Sequence, residues 1–211
     1  MIRAVLFDWD GTLVDTAEAS FRCYVKMFAD LGVPFDRATY ERTYSPNWYQ
    51  TFRMIGLPEN LWPEADRRWL EYFASEKIRP IDGAHEAIDR LARLGIARGI
   101  VTSGSRDRVR RELVAHGLAG RFDHVVFGDD TTNRKPHPEA LELCLHRMRI
   151  RPREAAYVGD SPEDVLMARA AGVLAVAIPG SYPNRRALQE AEPDVTAESL
   201  EEAVRVLTGN P

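Results

Sequence analysis

"AVLFDWDGTLVDT", residues 4–16, carries an apolar run into two aspartates, Asp8 and Asp10, and then turns at Gly11. The run from Ile2 to Phe7 is continuously apolar after one basic residue and too short for a helix, which predicts a strand buried on both faces of a parallel sheet. Similar runs recur at 96–102, 122–127, 155–158 and 173–178, with helix-like stretches at 84–94, 105–117, 137–149 and 161–171 between them. Several of those stretches end at glycine, as at Gly95, Gly117 and Gly172. The alternation predicts an α/β fold built on a doubly wound parallel sheet. Residues 16–81 break it: they hold helical patterns punctuated by Pro34, Pro46, Pro58 and Pro63 and no convincing strand. The expected organisation is therefore an α/β core from 1–15 and 82–211, interrupted by a helical insertion at 16–81, with hinges near 14–17 and 78–83.

The 211 residues, 45% of them apolar, suffice to bury a core in one large domain or two modest ones. A formal net charge of −4 leaves no basic field to hold a nucleic-acid backbone, so nucleic acid is not an expected partner. No apolar run approaches the ~18 residues of a membrane span and no cleavable leader pattern opens the chain, so a cytoplasmic protein without a membrane partner is expected. Cys23 and Cys144 lack the spacing of a metal knuckle or redox pair and read as buried free thiols. Only Lys26, Lys77 and Lys135 among the 28 basic residues are lysines, so a loop lysine stands out as a compact ammonium placed for chemistry. Nine of the 19 aromatic residues lie between Tyr40 and Phe73, inside the insertion, and read mainly as the core of a small helical bundle. Tyr44, Asn47, Trp48 and Arg53 are its candidates for substrate selectivity.

In parallel α/β sheets the ligand site lies beyond the carboxyl ends of the strands. The residues leaving the apolar runs are Asp8 and Asp10; Thr102 and Ser103; Lys135 in the loop "TNRKPHPE" (132–139); and Asp160 and Asp164 in "VGDSPEDV" (158–165). Four carboxylates at one edge cannot stand alone, because like charges ~4 Å apart repel by roughly 4 kcal/mol at an effective dielectric near 20, so either some of the acids are protonated or a cation is bound. An all-oxygen set without histidine or cysteine favours Mg2+ over zinc, and Mg2+ tends to bridge carboxylates to a substrate phosphate. A small phosphorylated metabolite is the implied substrate. One carboxylate can attack phosphorus to form an acyl phosphate, and a second, two residues on, can protonate the leaving oxygen and later activate water. Gly11 lets both face one phosphoryl group. Lys135, the Thr102 hydroxyl and backbone amides near Trp9, Gly11, Ser103 and Gly104 would hold its oxygens.

Four ordered motifs, "DWDGTLVDT", "VTSGS", "RKPHPE" and "GDSPED", make the chain resemble the haloacid dehalogenase-like phosphohydrolase superfamily over nearly its whole length. It is similar to the phosphoglycolate phosphatase and β-phosphoglucomutase branch, which carries a helical cap after the first strand. The resemblance implies a Rossmann-like core and a cap that closes over a small phosphoester. It also implies Asp8 as nucleophile, Asp10 as general acid and base, Thr102 as phosphate-binding hydroxyl and Lys135 as stabilising cation. Mg2+ would be held by the Asp8 side chain, the Asp10 backbone carbonyl and Asp160, with Asp164 a ligand through water or a supporting partner.

Plainer readings stand beside these. Asp164 can serve the start of its helix, Ser161-Pro162 reads as an N-cap followed by proline at the first helical position, and His137 as the opening of a helix. Trp9 is expected to pack, with only its backbone amide toward phosphate. "ESLEEAVRVL" reads as a docking helix. Asp10 disfavours dehalogenation and phosphonate cleavage, and Ser20, standing where mutases of the branch carry a histidine, weakens the mutase reading. A phosphate monoester hydrolase is expected, with a sugar-phosphate mutase or a pyrophosphatase as alternatives, in a monomer or homodimer. A phosphorelay receiver would be shorter and lack the insertion, and a silent scaffold would not keep every chemical position filled.

Overall fold

Four fully buried residues of the opening run form β1 (Ala4–Phe7) in the computed structural model, which describes residues 1–209. The chain turns through Gly11 into β2 (Val14–Asp15) and then enters four helices, α1 (Ala17–Asp30), α2 (Arg37–Thr43), α3 (Trp48–Ile55) and α4 (Trp62–Phe73). A short return strand, β3 (Arg79–Pro80), pairs antiparallel with β2. There follow α5 (Ala84–Arg93), β4 (Ala97–Val101), α6 (Arg106–Ala115), β5 (His124–Val126), α7 (Glu139–Met148) and β6 (Ala155–Gly159). The last elements are α8 (Pro162–Ala170), β7 (Leu174–Ala177), α9 (Arg185–Glu190), β8 (Val195–Thr196) and α10 (Leu200–Thr208).

Six strands make one parallel sheet in the order β5-β4-β1-β6-β7-β8. β1 lies inside it with helices over both faces, which is why its sequence is a continuous apolar run and not an alternating one. From β1 the chain builds outward through β4 and β5, then returns to the other flank through β6, β7 and β8. This is the doubly wound α/β arrangement, and its direction reverses between β1 and β6, where the strand ends leave a crevice. Register levels the strand ends there: Phe7 stands opposite Ile100 of β4 and Val158 of β6. Asp8, Thr102 and Asp160 therefore leave the sheet along one edge.

Leu6, Val101, Val126, Leu141, Cys144, Tyr157, Val165 and Met167 form the core between sheet and helices. Each large apolar side chain there contributes about 1.5–3 kcal/mol by leaving water. Gly95, Gly117 and Gly172 follow the ends of α5, α6 and α8, as the sequence predicts. Helix α10 packs on α5 through its apolar face, with Leu200, Ala203 and Val204 buried.

The chain divides into two compact units, one of Met1–Asp15 with the chain from Arg79 onward, the other of Thr16–Ile78. In the second, α1 packs on α4 and the aromatic residues pack on one another. Phe28 meets Phe35 at 4.6 Å between ring centroids, Trp69 stacks on Phe73 at 4.6 Å and Tyr49 on Trp62 at 5.0 Å. Tyr44 caps the end of α2, Asn47 and Trp48 open α3, and the exposed Arg53 lies over the Trp62 ring. Ser20 is buried in α1. Both cysteines are free and buried.

The pair β2–β3 differs from the sequence reading, which puts hinges near 14–17 and 78–83 and no strand within 16–81, and β8 and α9 are likewise additions. Two-residue strands have no period to detect, and Pro80 argues against a strand except at an edge, where it sits. Among the described residues no helix is long and apolar enough to cross a membrane.

Candidate active site

Asp8 is the first residue beyond β1, and its backbone N–H still donates to Val158 of β6 at 2.9 Å. Asp160 and Asp164 come from the turn after β6 and the first turn of α8, and one oxygen from each of the three carboxylates lies within 4.8 Å of the others. Lys135 sits among them: its ammonium donates to Asp8 Oδ1 at 2.8 Å, Asp164 Oδ1 at 2.7 Å and the Tyr157 hydroxyl at 2.7 Å. All three of its protons are thus placed. Tyr157 passes its own proton to the Val101 carbonyl at 2.7 Å, which ties the ammonium to β4. Glu139 braces the lysine's loop by accepting from the Thr132 and Asn133 amides at 3.2 and 2.9 Å. His137 lies beside the start of α7, its Nδ1 accepting from the Glu139 amide at 3.2 Å.

Three carboxylates against one ammonium leave two formal negative charges in a buried place. Burial pushes the Asp8 carboxyl up to about 7; Lys135 pulls against that and Asp164 adds to it. Burial, reinforced by Asp164 and Asp8, pushes Asp160 well above the usual carboxylate range. Burial opposes the charge on Lys135, but Asp164 and Asp8 outweigh it and raise the lysine above its ordinary value. An all-oxygen set with an uncompensated charge of this size fits a hard divalent cation.

Asp164 serves two purposes at once. Its Oδ2 accepts from the Ser161 amide at 3.1 Å and hydroxyl at 2.7 Å, while Ser161 caps the helix from the other side and Pro162 takes the first helical position. Oδ1 remains with Lys135, so the capping reading and the site reading describe different oxygens of one carboxylate.

Gly11 has φ +80°, and a Cβ there would sit on the Asp160 carboxylate, so only glycine lets the turn approach so closely. Thr12, the next residue, donates from its hydroxyl to Asp160 Oδ1 at 3.0 Å. Thr102 is buried, and its Oγ1 accepts from the Gly104 amide at 3.0 Å, which commits that amide within the loop. Ser103 lies half-buried between them.

The Asp10 side chain is not among the clustered oxygens. Both its oxygens accept from Arg108 of α6, at 2.9 Å from Nη1 and 2.5 Å from Nη2. Trp9 packs, as expected, fully buried, and its indole N–H in addition donates to Glu112 at 2.6 Å, because a buried indole N–H needs an acceptor. Thr12, Tyr157, Arg108 and Glu112 were not singled out by the sequence. The available signals were a hydroxyl beside the turn glycine and a tyrosine within an apolar strand.

The chain matches the family described as haloacid dehalogenase-like hydrolase over residues 5–178. It is 31% identical to pyrophosphatase PpaX of Bacillus velezensis, covering 97% of this chain and 96% of that one. It is 30% identical to phosphoglycolate phosphatase of Yersinia pseudotuberculosis, covering 92% and 88%. The solved structure of CbbY from Rhodobacter sphaeroides in complex with phosphate superposes with a TM-score of 0.80 at 28% identity, covering 96% of each chain. With the fold and the acidic crevice already in view, the chain belongs to the haloacid dehalogenase-like hydrolase family and is an enzyme of its phosphatase class.

Proposed function

We propose that the protein is a Mg2+-dependent phosphatase that hydrolyses a small phosphate monoester, of the phosphoglycolate class, through a phosphorylated Asp8. The observation that carries this reading is Lys135, held at 2.8 Å from Asp8 and 2.7 Å from Asp164 within an all-carboxylate crevice that one ammonium cannot neutralise. Asp8, Asp160 and the Asp10 backbone carbonyl would hold the cation, with Asp164 in support. When bound, the cation supplies charge neutralisation at the phosphoryl oxygens.

In the first step an Asp8 oxygen bonds to phosphorus and the bond from phosphorus to the leaving oxygen breaks, that oxygen taking a proton from Asp10. Asp10 then removes a proton from water as the water attacks the acyl phosphate, releasing inorganic phosphate and restoring the Asp8 carboxylate. Lys135 and Thr102 hold the equatorial oxygens throughout, with the amides of the Trp9–Asp10 turn and of Ser103, the expected Gly11 and Gly104 amides being spent on the Val14 carbonyl and the Thr102 hydroxyl. The helical unit would act as a cap, with Tyr44, Asn47, Trp48 and Arg53 selecting the leaving group. A cytoplasmic location and a monomer or homodimer complete the proposal.

The 31% identity to a protein named pyrophosphatase favours a second substrate, inorganic pyrophosphate. A screen of phosphate esters and pyrophosphate with and without Mg2+, ranked by kcat/KM, tests both. The expected result is hydrolysis lost with EDTA and restored by Mg2+, with phosphoglycolate ranking above pyrophosphate. The reverse ranking selects the second substrate, and no metal-dependent phosphate release from any compound would end both.

Metal binding has its own signature. Mg2+ at ten times its Kd should stabilise the protein by about 1.4 kcal/mol. Asp160→Asn should remove that gain while making the metal-free protein no less stable, because burial and the neighbouring Asp164 and Asp8 disfavour the charged form of Asp160. Thermal unfolding with and without Mg2+ measures both, and an undiminished Mg2+ shift in Asp160→Asn would exclude Asp160 as a ligand.

A further inference from the structure

The side chains beyond Asp10 close a ring. Asp10 takes both outer nitrogens of Arg108, the Arg108 guanidinium lies 3.3 Å from both Glu112 oxygens, and Glu112 accepts the indole N–H of Trp9 at 2.6 Å. Trp9 is the neighbour of Asp10 in the chain, so the ring returns to the turn from which it started. Arg108 is buried, with 9% of its side chain exposed, while the Asp10 side chain keeps 26%. The guanidinium therefore backs the carboxylate from the protein side and leaves its other side open.

Gly104 supplies an independent observation. A Cβ there would collide with Nη2 of Arg108 and stand 2.8 Å from Cγ2 of Val109. The absence of a side chain at 104 is what gives the guanidinium room to reach across from α6. Nothing in the proposed chemistry requires Arg108 or Glu112, yet two charged groups, a glycine and a buried tryptophan are arranged around one carboxylate.

We infer that Arg108 is a positioning residue for the proton-transferring carboxylate of Asp10, and that Glu112 and Trp9 hold Arg108 in place. A planar guanidinium meeting both carboxylate oxygens fixes the rotation of the Asp10 side chain, which a single point charge would leave free. Each oxygen keeps a further lone-pair site for the leaving oxygen or the water. This inference rests on the reading of Asp10 as general acid and base.

The consequence is a dependence on the leaving group. An alkyl phosphate expels a poor leaving oxygen and needs the proton from Asp10, whereas p-nitrophenyl phosphate expels a stable phenolate and needs it far less. Arg108→Met should lower kcat/KM, which ends at release of the leaving oxygen and so omits the shared hydrolysis of the acyl phosphate, by about 100-fold on an alkyl phosphate, in the range that general acid catalysis supplies, and by less than about tenfold on p-nitrophenyl phosphate. Gly104→Ala, which leaves every charge in place, and Trp9→Phe should show the same bias at smaller size, and they answer the question if Arg108→Met does not fold.

Asp10→Asn separates the two layers of the idea. If Asp10→Asn shows the bias and the folded Arg108, Gly104 and Trp9 variants lose both esters equally, or lose neither, the positioning inference is wrong and the role of Asp10 survives. If Asp10→Asn shows no bias, or the wild type hydrolyses neither ester, the reading of Asp10 fails and the inference falls with it.

Discussion

Asp8→Asn should reduce Mg2+-dependent hydrolysis of the best phosphate ester by roughly 10⁴-fold or more, as loss of a covalent nucleophile does, and at pH 8 it should make the metal-free protein more stable than the wild type. The two effects share one cause. In the folded chain burial pushes the Asp8 carboxyl from 3.8 up to about 7, so the folded state holds this proton more tightly than the unfolded state does. The contribution of the group is then fully present below the unfolded value and is lost as pH rises through about 7. At about 1.4 kcal/mol for each pH unit the full displacement sets a ceiling of ~4 kcal/mol, and because neighbouring acids share it, a difference of 1–3 kcal/mol between pH 5 and pH 8 is the reasonable scale. Asparagine never acquires the charge and escapes the loss. Urea unfolding of both proteins in EDTA at pH 5 and pH 8 should show near-equality at the lower pH and a gain for Asp8→Asn at the higher one. Mg2+ should narrow the gap by stabilising the wild type. An Asp8→Asn variant less stable than the wild type at both pH values would show that the carboxylate is not held against its own charge, and activity above a trace would remove Asp8 as nucleophile.

The sequence shows the fold most clearly where burial is most uniform. β1 is buried on both faces, so its residues had no reason to alternate, and the continuous apolar run led directly to a parallel sheet. Three of the helices between strands, α5, α6 and α8, announced themselves by glycine ends. What escaped notice had no room for a pattern: β2, β3 and β8 have two residues each, and α9 has six. Their existence depends on pairing partners distant in the chain, and pairing is not a local property.

The candidate site divides along the same line. Asp8, Asp160 and Lys135 stand at strand ends or in strand-to-helix loops, where topology alone says that side chains converge, and the structure groups them. Tyr157 lies inside an apolar strand and reads as core until its hydroxyl is seen to accept from Lys135 and donate to Val101. Arg108 is one of four arginines in α6, and its spacing to Glu112 is the one ordinarily found on a solvent-facing helix surface. Only the fold reveals that this pair faces inward, because the apolar positions Val109 and Leu113 do not by themselves say on which side of them the buried stripe ends. Trp9 was legible as buried but not as bonded, since its acceptor lies 103 residues away.

Lys135→Met should damage stability and turnover together. The substitution keeps much of the length of the side chain and removes the ammonium that donates to Asp8 and Asp164, so three clustered carboxylates lose its compensating charge. Breaking a buried ion pair by removing one partner costs about 3–5 kcal/mol, but carboxylates have an escape that fixed charges lack, since they can take up protons. The cost should therefore be near its full size at pH 8 and much smaller at pH 5.5, below the value of about 7 to which burial pushes Asp8. Mg2+ should recover part of the loss at pH 8 by supplying positive charge to the same oxygens. Turnover should not recover with it. If the ammonium stabilises charge that builds on the phosphoryl group, kcat at saturating Mg2+ and substrate should stay down by 10²–10³-fold, the scale set by removing one such donor. Lys135→Arg separates charge from shape: a planar guanidinium keeps the charge but cannot direct three protons at Asp8, Asp164 and Tyr157 as a compact ammonium does. It should regain stability well ahead of activity. If Lys135→Met, refolded and saturated with Mg2+, kept kcat within tenfold of the wild type, the lysine would be a counter-ion for the resting crevice and nothing more, and the cation alone would have to manage the charge of the reaction.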